Sequence, residues 1–274
     1  MNNSLIFKPT LLQRILGRNY KWWYLLWYEF KISNGHFYSY IFLNIVRSVE
    51  FLIIIFVWQI NNSSAEIITY LAIGRVFQKI VSSGFGGVVG SYIDSGQITK
   101  DLIRPQNILF YYYIKDLGFN QIRQILNAII ILVLAVIVFG SQLIFSWQVG
   151  WLIIILPIAS LIRFFMNMLI GTVAFWIKER ANNTAVINGI YLISGILAGE
   201  IIPLSLIFQN NFNFLQFSPF AYFLHLPMQI YLGKYSLIET LNVFLGGIAW
   251  CLVFYCLAKI VFQAGLKKNE SVGL

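Results

Sequence analysis

The chain has 274 residues, 59% of them hydrophobic and only 11% charged, where soluble domains carry about 25% charged residues. A soluble fold of this length cannot hide so much apolar surface, because a large share of its surface faces water, so the composition calls for lipid. The nineteen Lys and Arg against ten acids give a formal charge of +9, but these bases sit in short segments between apolar runs, which a membrane explains without a nucleic-acid partner.

In chain order, residues 1–34 come first. Lys8, Arg14, Arg18 and Lys21 interrupt the region where a signal peptide would keep an apolar core, so no cleavable signal is expected. The run RNYKWWYLLWYEFK sets Trp and Tyr between bases, the pattern of a helix lying in the headgroup layer. Residues 35–274 then read as a transmembrane domain. A crossing needs about 20 apolar residues, and the expected spans are 41–60, 67–93, 122–140, 149–177, 185–202 and 241–258. Between Pro203 and Glu239 the apolar stretch is broken by Pro203, Pro219 and Pro227, which suits short helices dipping into an interface. The fold class expected is all-α, with six crossings.

The basic residues orient these spans. Fourteen of the nineteen fall in alternate segments: Lys8, Arg14, Arg18, Lys21 and Lys31, then Lys100, Arg104, Lys115 and Arg123, then Lys178 and Arg180, and last Lys259, Lys267 and Lys268. The opposite loops hold Lys234 alone. Both termini are therefore expected in the cytoplasm.

Charges inside the spans stand out. Arg47 and Glu50 lie three apart on the first span, close enough to pair. Arg75 and Lys79 lie four apart on the second and repel. They form either a basic patch lining a cavity for an anionic or amphiphilic cargo, or structural ion pairs; Arg163 reads as structural. The second span also carries SSGFGGVVGS, in which Ser82, Gly86 and Gly90 form one row of small residues and Ser83, Gly87 and Ser91 another. Such rows let helix backbones approach closely, within the chain or against a partner. A dinucleotide loop is excluded because Val89 replaces the last glycine of GxGxxG. Cys251 and Cys256 read as packing residues. His36 and His225 are isolated, and no HExxH, GxSxG or GxxxxGK[ST] motif occurs, so no catalytic residue, metal site or bound cofactor is expected on this chain.

The longest inner loop, residues 94–123, joins a short amphipathic piece to Pro105 and YYYIKDLG. This loop, SGQITKDLIRPQNILFYYYIKDLG, resembles that of the type-two ABC exporter permeases, as do the Ile202-Pro203-Leu204 step, the segment SPFAYFLHLPMQIYLG and the tail GLKKNESVGL. Their order and spacing match a bacterial six-span branch of that family. The resemblance implies a pair of permease chains, identical or homologous, in the bacterial cytoplasmic membrane, docked to two ATP-binding subunits that carry the ATP and Mg. It implies that Asp101, Leu102, Arg104 and Pro105 form a coupling helix gripped by the ATP-binding subunit. It implies, too, that the broken helices after Pro203 close the outer face and that cargo passes near the first, second and fifth spans. The alternative is a secondary transporter driven by an ion gradient, which calls for internal repeats and an acid as ion ligand; no convincing repeat is present.

Overall fold

In lipid no water pairs with the backbone, and a helix satisfies its amides within one segment. The computed structural model describes residues 20–33, 37–60, 64–103, 106–177, 180–200, 202–204, 206 and 217–270, and every regular element among them is helical. First come α1 (Tyr20–Ser33), α2 (Phe37–Ile60), α3 (Ala65–Val81), α4 (Phe85–Asp94) and the short α5 (Ile98–Leu102). Next, α6 (Ile108–Asp116) passes through a π-helical turn, Leu117–Gln121, into α7 (Ile122–Phe139). The order ends with α8 (Val149–Thr172), α9 (Arg180–Ala198), a 3-10 turn over Pro219–Phe223, α10 (His225–Tyr231) and α11 (Leu237–Glu270).

Among the described residues three stretches are long and apolar enough to cross a membrane: Ile108–Gln142, Val149–Phe175 and Leu237–Lys268. Two of them also carry apolar side chains on their outer faces, Ile129, Val133 and Ile137 on α7 and Leu241, Leu245, Ile248 and Leu252 on α11. A helix apolar on all sides belongs in a core or a bilayer, and these faces are exposed on the chain. The protein is an all-helical, multi-pass membrane protein.

Three expected elements change form. The second span, read as one helix over 67–93, is two helices separated at Ser82-Ser83-Gly84. Ser82 is extended (φ −61°, ψ 139°), and serine hydroxyls and glycine both weaken a helix interior. The third span, expected from 122, begins at Ile108, where the Asn107 side chain accepts from the amides of Leu109 (3.0 Å) and Phe110 (3.4 Å). That cap converts the second half of the expected inner loop into helix. At 35 residues the continuous stretch is about 52 Å long, well beyond a hydrocarbon core of about 30 Å. The last helix likewise outruns 241–258 at both ends.

Two apolar cores result. One holds Phe51, Ile68, Tyr70 and Phe77 with Phe139, Ile155 and Phe223. The other, at the α5 end, holds Phe85, Val89, Ile93 and Ile98 with Tyr112, Phe164, Phe175 and Phe262. The broken span feeds both, α3 the first and α4 the second, and α8 runs past both. The break frees backbone carbonyls that must find donors. Asn167 Nδ2 of α8 donates to the Ser83 carbonyl at 2.7 Å, and Asn120 Nδ2 in the π turn donates to the Ser82 carbonyl at 3.3 Å. The buried Asp116 carboxylate faces Ser83, the Gly84 backbone and Asn120, and Gln121 Nε2 donates to Ser160 Oγ at 2.6 Å. A polar seam thus holds α3, α4, α7 and α8 together at one level.

Just beyond the seam, a Cβ on Gly86 would stand 2.7 Å from the Tyr191 hydroxyl and 2.8 Å from the Asn167 carbonyl, and one on Gly171 would strike the Gly86 carbonyl. Around Gly87 there is open space. Gly86→Val is expected to cost about 1–3 kcal/mol through overpacking, whereas Gly87→Ala leaves stability level or raised; thermal unfolding of the purified protein in detergent compares them. Asn167→Leu strands the Ser83 carbonyl and is expected to cost about 1–3 kcal/mol in the same assay.

Candidate functional site at the inner loop

The loop that follows α4 turns sharply at Gly96 (φ +70°), a conformation glycine adopts freely. Ser95 Oγ donates to the Ser91 carbonyl at 2.7 Å and Thr99 Oγ1 to the Gly96 carbonyl at 2.7 Å, which fixes the start of α5. Within α5, Ile98 is fully buried in the second core and Asp101 is 9% exposed, so this edge is anchored. The other edge is not: Leu102 is 40% exposed and Ile103 84%. Leu102 and Ile103 thus form an exposed apolar pair at the tip of an otherwise anchored helix. Of the four loop residues singled out in the sequence, Asp101 and Leu102 sit on this helix, while Arg104 and Pro105 lie outside the described residues.

Behind α5 three elements meet at Lys115. Its Nζ stands 3.6 Å from Glu29 Oε1 of α1, donates to the Tyr92 hydroxyl of α4 at 3.1 Å, and lies 4.8 Å and 5.4 Å from the rings of Tyr92 and Tyr111. Trp22 packs edge-on to Phe110 at 4.8 Å. The α1 backbone comes so close to the π turn that a Cβ on Gly118 would stand 2.5 Å from the Leu26 carbonyl. Between α1, α5 and α6 a cavity of about 450 Å³ remains, lined by residues that include Lys21, Tyr28, Glu29, Asp101, Gln106 and Lys115. The aromatic N-terminal helix is therefore strapped to the same corner as α5.

The charges singled out within the expected first two spans sit on α2 and α3. Arg75 on α3 lies over the Phe51 ring of α2 at 5.0 Å and donates to Gln78 Oε1 at 2.6 Å. Lys79 is half-buried on α3, and Glu50 is exposed on α2; the side chain of Arg47 lies outside the described residues. Of the small residues, Gly86 and Gly90 are buried, Ser82 is half-buried at the break, and Gly86 meets α8 of the same chain. Arg163 forms an ion pair that its sequence position does not reveal: Nη1 is 3.6 Å from Glu200 Oε1, and the guanidinium lies 4.5 Å over the Phe223 ring. It ties α8 to the end of α9 and to the 3-10 turn. Cys251 and Cys256 form no disulfide; Cys251 is half-buried and donates to the Ile158 carbonyl at 3.5 Å, and Cys256 is exposed.

Sequence reasoning gave no site role to Glu29, Lys115, Asp116, Asn120 or Asn167. Asn167 had a visible signal, a lone amide inside the apolar run FFMNML. The Glu29–Lys115 pair had none, because 86 positions separate its partners.

With this geometry in hand, comparison with known proteins identifies the class. The model of the ABC-2 family transporter proteins matches residues 36–273, nearly the whole chain. The protein belongs to the ABC-2 transporter family, as a membrane permease component of an ABC transporter. No curated protein and no solved structure shows a significant match.

Glu29 and Lys115 are 13% and 11% exposed, so removing one leaves the other poorly solvated. Glu29→Gln and Lys115→Met are each expected to cost about 1–3 kcal/mol and to speed amide exchange across α1. The double variant should recover part of the loss, as coupled neighbours do.

Proposed function

We propose that the chain is the permease subunit of an ABC exporter in a bacterial cytoplasmic membrane, with six crossings and both termini in the cytoplasm. Two permease chains form the path, and two ATP-binding subunits supply the ATP and Mg chemistry. Each ATP-binding subunit grips the loop that carries Asp101, Leu102, Arg104 and Pro105, where α5 exposes Leu102 and Ile103. The chain itself performs no hydrolysis.

One observation carries this reading: α5 presents Leu102 and Ile103 outward while the short α4 connects it to the break at Ser82–Gly84. A push on α5 is delivered through a ten-residue helix, about 15 Å long, to the point where the span is already divided. ATP binding needs only to favour one arrangement of that lever over another to drive alternation. The secondary-transporter reading has no support from the family match, which places the chain among the ABC-2 transporters.

Gentle detergent extraction is expected to recover an ATP-binding subunit at one per permease. The double substitution Leu102→Asp/Ile103→Asp should abolish that co-purification while leaving insertion and yield unchanged. If the doubly substituted chain still brings the subunit down in full amount, α5 is not the docking element.

A further inference from the structure

At the end of the molecule opposite α5, a second cavity of about 310 Å³ opens beside the start of α11. Its walls are the rings of Phe217, Tyr222, Tyr235 and Trp250, together with Glu239 and Asn242. We propose that this cavity is a binding site for the ammonium head of an amphiphile. The inference concerns binding alone and stands whether or not ATP drives transport.

Three features argue for it. First, the charge has one sign: Glu239 is the ionisable acid in the wall, and the neighbouring base, Lys234, is held elsewhere by Glu66 at 2.8 Å. A carboxylate sharing a cavity wall with aromatic side chains can attract a cation twice, by its own charge and through the ring quadrupoles. Second, the wall is fixed before any ligand arrives. Ser236 N donates to Glu239 Oε2 at 2.7 Å, and Glu239 N donates to Ser236 Oγ at 3.3 Å, a capping box at the start of α11. Trp250 Nε1 donates to the Phe217 carbonyl at 3.0 Å, and the Tyr222 hydroxyl donates to the Val243 carbonyl at 2.9 Å. Little side-chain freedom is then lost on binding. Third, α11 runs on from the cavity with exposed Val253 and Leu257 three and seven residues beyond Trp250, on the same helix face, where a hydrocarbon tail would lie. A belt of interfacial rings alone would hold no carboxylate fixed in its wall by a capping box.

The same head is offered by a cationic cargo and by an aminophospholipid of the bilayer. Calorimetric titration of the full-length protein in maltoside micelles with dodecyltrimethylammonium, against protein-free micelles, tests the site. Saturable binding is expected, weakened about tenfold or more in Glu239→Gln and in Trp250→Leu and by no more than about twofold in Tyr235→Phe, which keeps its ring. Glutamine still closes the capping box, so Glu239→Gln removes the charge and keeps the fold. Adding phosphatidylethanolamine separates the sources: competition marks a lipid as occupant, and its absence marks a free cationic amphiphile, the ammonium site standing in both cases. No saturable binding, equal binding by Glu239→Gln, or equally effective competition by uncharged dodecanol overturns the proposal.

Discussion

The described helices are arranged around a break at Ser82–Gly84 that divides one apolar stretch into α3 and α4. The carbonyls released at Ser82 and Ser83 lie where water is scarce, and an unpaired buried carbonyl costs about 1–3 kcal/mol. Asn120 and Asn167 answer them from two different helices. The seam is therefore what sets α7 and α8 in register with the divided span. It also separates an apolar core packed around α3 from another packed around α4, so the two halves of the span can differ in what they move with.

The α5 corner inherits that division. α4 carries α5 at one end and meets the seam at the other, while Lys115 binds α4 and α1 to the root of the long helix. The aromatic helix α1, the exposed tip of α5 and the start of α6 thus form one unit of small parts held by charge and ring contacts. The opposite end is closed differently. The Tyr231 hydroxyl donates to the Ile144 carbonyl at 2.9 Å, the Ile144 amide donates to Thr69 Oγ1 at 2.9 Å, and Arg163 pairs with Glu200 beneath the 3-10 turn. Side-chain bonds to backbone seal that face, where packing alone would leave loop amides open.

Much of this was legible in the residues. Apolar run length and charge sparsity gave a helical membrane protein, and the inner loop gave the family that the family model then matched. What was not legible has physical causes. Hydropathy averages over Ser82-Ser83-Gly84 as readily as over Leu, so one apolar stretch concealed two helices. The start of α6 depended on the Asn107 cap and not on apolar content, and YYYIKD reads as loop to any scale that weighs charge. The polar partners of the seam come from positions about 40 and 80 residues away from the break, a distance at which sequence spacing carries no message. Arg163 was visible as a charge in an apolar run, yet Glu200 could be named as its partner only once α8 and α9 were set side by side.

The π turn at Leu117–Gln121 carries a consequence of its own. Such a turn holds one residue more than the α-helical repeat, and each residue in an α-helix advances the side chains by about 100°. The segment before it can therefore aim Lys115 at Glu29 of α1 and Tyr92 of α4, while the segment after it packs on α3. A deletion of a single residue there would keep a continuous, equally greasy rod and yet rotate one half against the other. Phasing at this place, more than composition, is what lets one helix serve two different sets of neighbours.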